Sequence, residues 1–235
     1  MKKLISIVTP TFNEEENIEK LCKAVGSEMQ NLEYDYEHIV IDNNSTDKTI
    51  EILKKIASQD KKLKLIINSR NFGHIKSPIY GLLQSSGDAA ILMSADFQDP
   101  PELLSQYINE WKNGSKVVLA QKDTSDENIV KHFFKQIFYK LIRSLSEIPL
   151  VMNTTGAGLF DKKIIDHIRE INDPYPYFRG LINEIGIEIK TIKFDQPQRK
   201  YGVTKNNFST LYDIAMLGIV KHSRKPLRFM VLIGF

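Results

Sequence analysis

One cysteine, Cys22, stands among 235 residues, so no internal disulfide can form and the chain suits a reducing compartment. It falls in a helically spaced stretch, which makes it a small apolar core residue before it makes it a nucleophile. No internal stretch reaches the about 18 apolar residues of a membrane span. Met1-Lys2-Lys3-Leu4 runs straight into a strand-like segment with no small-residue cleavage site, so no signal peptide is expected. No Gly-x-Gly-x-x-Gly follows the first strand, which argues against a dinucleotide-dependent oxidoreductase. An excess of one charge is missing too. Lys and Arg number 32 against 29 Asp and Glu, and a net charge of +3 is too weak to argue for a nucleic-acid partner. Repeats and low-complexity segments are also absent.

What is present is the composition of an ordinary globular protein, 42% hydrophobic and 26% charged, long enough for one large α/β domain. Short apolar runs at residues 4–9, 38–41, 63–67, 89–93 and 117–120 read as strands. Helical spacing fills residues 14–29, 46–57, 75–84 and 101–111 between them, with Asn13 as N-cap of the first and Pro101 opening the fourth. Continuous apolar strands separated by helices predict a mostly parallel sheet covered on both faces. Beyond Lys122 the pattern loosens. A long aromatic-rich helix is expected over 128–145, a short strand at Leu159 and Phe160, and a helix over 162–171. A loop follows at 173–177, and an alternating strand at 187–194.

Ligands of an open parallel sheet bind outside the carboxyl ends of its strands. Four strand ends here carry polar residues suited to one ligand: Pro10-Thr11-Phe12-Asn13-Glu14-Glu15, Asp42-Asn43-Asn44-Ser45-Thr46-Asp47, Asn71-Phe72-Gly73-His74 and Asp96-Phe97-Gln98-Asp99. Taken singly, each has an ordinary account as a capping turn or a helix start. Four at one edge weaken that account. Alternate residues past a strand can point the same way, so Asp96 and Gln98 could share a hard divalent cation, whose preferred ligands are oxygens. Asp99, followed by Pro100 and Pro101, is the better candidate to cap the next helix.

These segments resemble a family-2 glycosyltransferase of the GT-A fold, nearest the polyprenyl-phosphate sugar transferases related to dolichyl-phosphate mannose synthase. The resemblance spans nearly the whole chain. It rests on Thr9 to Glu15, Asp42 to Asp47, Asn71-Phe72-Gly73, Ala95-Asp96-Phe97-Gln98-Asp99-Pro100-Pro101 and Gln198-Arg199-Lys200-Tyr201-Gly202-Val203-Thr204-Lys205. It implies a GT-A domain over residues 1–205, with 206–235 as an amphipathic, juxtamembrane segment. It also implies that Pro10, Phe12, Glu14 and Ala95 line the nucleotide-sugar pocket and that Asp42 accepts from the base. Asp96 and Gln98 would hold Mg2+ or Mn2+, and Arg199 and Lys205 would face phosphates and act in catalysis with Asp96. Two departures stand out. Ser94 occupies the place of the family's first acidic residue, and Gly156 and Gly158 stand where an Asp and an Arg are common.

The implied reaction is inverting transfer from a nucleoside-diphosphate sugar to a polyprenyl phosphate. A phosphate monoester is largely ionised near neutral pH and needs no strong base, and only Asp161 and His74 offer themselves as bases. Transfer to a saccharide hydroxyl is the alternative, and a nucleotide-sugar-binding protein that has lost catalysis is a second one. Homo-oligomer formation is left open. The end of the chain adds an apolar helical run at 211–220, then Lys221, His222, Ser223, Arg224, Lys225 and Arg228. A basic cluster beside an apolar run predicts a segment at the cytoplasmic face of a membrane, with membrane helices beyond Phe235 in the natural protein.

Overall fold

A computed structural model of the chain describes residues 2–122, 154–197 and 208–225, with Arg228, Val231 and Gly234 beyond. The described residues fall into two compact units. The first holds 2–122, 154–176 and 187–197; the second holds 177–186 and the residues from 208 onward. The helix expected over 128–145, and Arg199 and Lys205, lie outside the described residues.

The first unit is an α/β structure around one sheet. Its strands are β1 (Leu4–Thr11), β2 (Asp35–Asp42), β3 (Leu63–Ile67), β4 (Ala89–Leu92), β5 (Val117–Lys122), β6 (Thr154–Asp161) and β7 (Ile189–Phe194). They lie in the order β3-β2-β1-β4-β6-β5-β7, and among the described residues β6 alone runs antiparallel to its neighbours. The helices are α1 (Ile18–Gln30), α2 (Thr49–Gln59), α3 (Gly73–Leu83), α4 (Leu103–Lys112) and α5 (Lys162–Ile171). In the second unit stand α6 (Phe178–Glu184) and α7 (Phe208–His222).

Side-chain alternation along β1 divides the core. Ile5 and Ile7 join one cluster with Ile18, Leu21 and Val25 of α1 and Leu104, Tyr107 and Ile108 of α4. Val8 turns the other way with Ile41 of β2, toward α3, where a Cβ on Gly81 would stand 3.0 Å from each. Glycine there lets helix and sheet close up. Helix α1 starts without a side-chain cap bond. Its buried Ile18, Leu21, Val25 and Met29 each contribute about 1.5–3 kcal/mol, against about 1 kcal/mol for a cap. Packing decides where that helix lies.

Several boundaries differ from the sequence pattern for identifiable reasons. Strand β1 continues through Pro10 to Thr11 because β4 pairs only as far as Val8, so the missing Pro10 amide leaves no β4 carbonyl unpaired. Asn13 is not a helix cap. It takes a left-handed φ of 54° and spends its side chain on Thr46. Helix α4 starts at Leu103, after a turn in which the Leu103 and Leu104 amides donate to the Pro100 and Pro101 carbonyls. Asp99 does not cap it either.

Candidate active site

Parallel pairing brings the four polar segments to one edge. Thr11 registers with Asp42, Asp42 with Ile67, and Val8 with Leu92. The chain therefore leaves β1, β2, β3 and β4 on the same side, the edge at which open sheets bind ligands.

Side-chain hydrogen bonds then tie the segments after β1, β2 and β3 together. Asn13 donates its amide N–H to Ser45 Oγ at 2.8 Å and accepts from the Thr46 amide at 2.8 Å. The Glu14 amide donates to Thr49 Oγ1 at 2.9 Å, and the Lys48 amide to the Glu15 carboxylate at 2.9 Å. Asn43 does the same between β2 and the segment after β3. Its Nδ2 donates to Asn71 Oδ1 at 2.7 Å, while its Oδ1 accepts from Asn68 Nδ2 at 3.1 Å and from the Phe72 amide at 2.9 Å. Short polar side chains at left-handed or turn positions suit this work, since they bond locally at low steric cost.

Pro10, Phe12 and Glu14 are half-buried along this edge, and Glu14 accepts from Asn17 Nδ2 at 2.7 Å. Asp42 is fully buried. Its two oxygens accept from the Ser45 amide at 2.8 Å and the Ser45 hydroxyl at 2.5 Å, so its carboxylate is engaged in shaping the loop. Asp47 is held below the usual carboxylate range: burial opposes this, but bonds from Thr49 and the Glu15 amide outweigh it.

The turn after β4 is built around two carboxylates. Phe97 sits at φ 59°, in the left-handed region, and the Gln98 amide donates to Asp96 Oδ1 at 3.1 Å. Ala95 and Asp96 are buried and Gln98 is half-buried. Ser94 donates its hydroxyl to Asp99 Oδ2 at 2.7 Å and its amide to the same oxygen at 3.3 Å. Among the described residues no cluster of three His, Cys, Asp or Glu forms a self-sufficient metal cage. A carboxylate and an amide two residues apart instead suit a hard cation that keeps substrate phosphate oxygens in its shell, as Mg2+ commonly does. The donor set fits a cation delivered with a diphosphate.

Strand β6 shows why glycines stand at positions 156 and 158. Gly156 takes φ 92°, a conformation that disfavours side chains. At Gly158 an added Cβ would lie 2.4 Å from the Val118 carbonyl oxygen of β5. The backbone leaves no room there for an arginine. Asp161, weighed above as a base, registers with Ala89 at the start of β4 and so lies at the opposite edge of the sheet. It accepts from Trp111 Nε1 at 2.8 Å, pairs with Lys116 at 3.0 Å and caps α5 through the Lys163 amide. His74 opens α3 at the ligand edge, where burial lowers its pKa.

A cavity of about 550 Å³ lies elsewhere, between α1, α2 and the first half of β2, lined by Cys22, Gly26, Tyr36, His38 and Ile56 among others. Tyr36 and His38 precede Asp42 by a half-strand or more, so this cavity is off the ligand edge. Burial pushes the Cys22 thiol up to about 12, so it is no nucleophile.

The sequence signature of Glycosyl transferase family 2 matches residues 6–169. An uncharacterised glycosyltransferase of Synechocystis sp. is 32% identical over 231 residues, covering 98% of this chain and 73% of that protein. The bactoprenol glucosyl transferase of Shigella phage SfV is 30% identical, over 98% of this chain and 75% of its own length. Among solved structures, glucosyl-3-phosphoglycerate synthase from Mycobacterium tuberculosis, in complex with Mn2+, UDP-glucose and phosphoglyceric acid, superposes with a TM-score of 0.57. That match has 18% identity and covers 92% of this chain and 77% of the synthase, a likeness of GT-A fold. The four segments at one sheet edge, the matched signature and the relatives agree: the chain is a glycosyltransferase and belongs to Glycosyl transferase family 2.

Proposed function

We propose that the protein transfers a sugar from a nucleoside-diphosphate sugar to a polyprenyl phosphate, with inversion, at the cytoplasmic face of a membrane. The observation that carries the reading is the hydrogen-bonded edge of β1 to β3, with the Asp96–Gln98 turn after β4 on the same side of the sheet. UDP-glucose is the first donor to test, because relatives are named bactoprenol glucosyl transferase and a neighbouring fold binds it.

In this reading Pro10, Phe12 and Glu14 flank the nucleotide, and the Asp42–Asp47 loop shapes the floor beneath its base. Asp96 and Gln98 would hold Mg2+ or Mn2+, which would supply charge neutralisation at the leaving diphosphate. By the family resemblance, Arg199 and Lys205 would serve the phosphates. An acceptor phosphate oxygen attacks the anomeric carbon as its bond to the diphosphate oxygen breaks, and the nucleoside diphosphate departs. With a second pKa of about 6, the acceptor phosphate is already ionised, so no protein base has to take a proton.

Support for the membrane comes from α7. Tyr212, Met216 and Val220 recur every four residues and are all exposed, and Lys221, Arg224, Lys225 and Arg228 are exposed beside or beyond them. An apolar stripe next to basic residues suits an anionic bilayer surface. No helix among the described residues is long and apolar enough to cross a membrane.

The test is a matrix of radiolabelled UDP-glucose and GDP-mannose against undecaprenyl phosphate in vesicles or soluble glycans, with Mn2+. Label entering the organic phase with undecaprenyl phosphate supports the reading. Label entering only the glycan refutes the lipid acceptor, and label in neither refutes the transfer to these acceptors.

A further inference from the structure

Among its described residues the first unit exposes five large hydrophobic side chains, and four of them gather around one helix. Phe72 and Tyr80 belong to α3, and Ile171 and Tyr175 to the chain that runs beside it. Phe72 stands at the N-terminus of α3, and Lys76 and Tyr80 follow it at steps of four residues, so the three form one stripe. The residues α3 buries are Ser77, Ile79, Gly81 and Leu82, with Gly81 against Val8 and Ile41 of the sheet. The neighbouring chain runs from Arg169, whose Nη2 donates to the Leu83 carbonyl at 2.9 Å, to Tyr175, whose ring lies 4.7 Å from Lys76 Nζ. Ile171 falls between these two contacts.

The charge on this face is of one sign. Arg70 sits 4.3 Å over the Phe72 ring, so both cations rest on aromatic faces and keep their charge. Neither pairs with a carboxylate among the described residues. No Asp or Glu occurs between Asp60 and Asp88, a stretch that also holds Lys61, Lys62 and Lys64. The carboxylates of the neighbouring chain are engaged: Asp166 pairs with Arg169, Glu170 stands 3.9 Å from His167, and Asp173 accepts the Tyr175 amide at 3.0 Å.

We propose that this face of α3 docks on an anionic phospholipid bilayer, so that the ligand edge opens at the lipid surface. Aromatic rings with a polar tip beside unpaired cations suit the headgroup layer of such a membrane. A second copy of the chain suits the face less well. A two-fold dimer would set the patch against itself and bring Arg70 and Lys76 of both copies together. A stable interface also takes about 20–30 residues a side, far more than this patch offers. The stripe ends at the ligand edge, where the Phe72 amide donates to Asn43 at 2.9 Å and His74 follows. A lipid-phosphate acceptor therefore reaches the donor from the surface on which α3 lies. That consequence rests on the sugar-transfer reading; the docking rests on the face itself.

The experiment uses the full chain in a Cys22→Ser background, with an environment-sensitive fluorophore attached at Tyr80→Cys or, as control, at Ser27→Cys. Tyr80 is 51% exposed, so its replacement spares the core, and exposed Ser27 lies on α1, across the sheet. With equimolar phosphatidylcholine and phosphatidylglycerol vesicles the probe at 80 should brighten and shift to the blue, while the probe at 27 stays unchanged. Lys76→Gln should weaken vesicle partition about fivefold. A silent probe at 80 on vesicles that carry the protein overturns the proposal, because another surface then holds the bilayer. A shift that appears without vesicles and grows with protein concentration assigns the face to a second copy and also overturns it. Protein that stays off the vesicles overturns it together with the membrane location proposed above. Transfer from UDP-glucose or GDP-mannose with Mn2+ is then compared on two acceptors. Lys76→Gln should slow transfer to undecaprenyl phosphate in vesicles and leave transfer to water-soluble geranyl phosphate unchanged; equal slowing on both overturns the link between docking and acceptor delivery. A docked wild type that transfers to neither acceptor leaves the docking standing and counts against the sugar-transfer reading instead.

Discussion

His38 makes the stability of this protein depend on pH in a way that can be worked from its surroundings. The side chain is 2% exposed on β2, its Nε2 lies 3.0 Å from Thr9 Oγ1, and burial lowers its pKa from 6.5 to about 4 against a weaker opposing pull from Asp60. The folded state therefore binds this proton less readily than the unfolded chain. Its contribution is fully present above pH 6.5 and is lost as pH falls toward 4. Between pH 7 and pH 5 the loss comes to about 2 kcal/mol, and it levels off at about 3 kcal/mol below pH 4. For a chain of this length 2 kcal/mol lowers the Tm by about 4–8 °C. Carboxylates such as Glu37 and Asp161 add their own acid sensitivity, so the comparison must be with a variant differing only at this site. Urea unfolding of wild type and His38→Gln at both pH values makes it, because glutamine can still bond Thr9 but does not titrate. Wild type should lose about 2 kcal/mol more than the variant on going to pH 5. Equal losses would refute the burial argument.

Further outcomes follow from contacts at the site and behind it. Gly158→Ala forces a Cβ to within 2.4 Å of the Val118 carbonyl oxygen and should cost at least the ~1–3 kcal/mol of an overpacked core; an unchanged Tm would show that β5 and β6 yield freely. Asn43→Ala removes bonds to Asn68, Asn71 and Phe72, so about 2–3 kcal/mol is lost locally, and exchange should rise in residues 68–73 while donor affinity falls. Asp161→Asn should keep transfer activity within about twofold, because that residue sits at the far edge of the sheet. The same variant should shift the emission of Trp111, the protein's one tryptophan, and loss of activity with a normal Tm would reinstate Asp161 as a base.

Much of the first unit could be read from the chain because its signals are local. Buried parallel strands such as β2 and β4 are continuous apolar runs, and α5, Lys162–Ile171, has an N-cap aspartate and a strong periodicity. Strand β6 was legible only at Leu159 and Phe160. Its first half, Thr154 to Gly158, is small and polar, and becomes strand through pairing with β5 across the sheet. The site was legible as four polar segments, because parallel topology alone brings them to one edge. What each residue does there was less so. Asp99 reads from the sequence as a helix cap, since spacing cannot say that Ser94 returns to bond it. Asn43 carried no individual signal beyond its place in a turn-like run.

The central claim is that donor binds at the carboxyl ends of β1, β2 and β4. Photolabelling with 5-azido-UDP-glucose in the presence of Mn2+, followed by peptide mapping, tests it most directly. Label should fall in peptides containing residues 10–14, 42–47 or 94–99 and should be displaced by unlabelled UDP-glucose. Displaceable label confined to the cavity peptides around Cys22 and Ile56 would contradict the account.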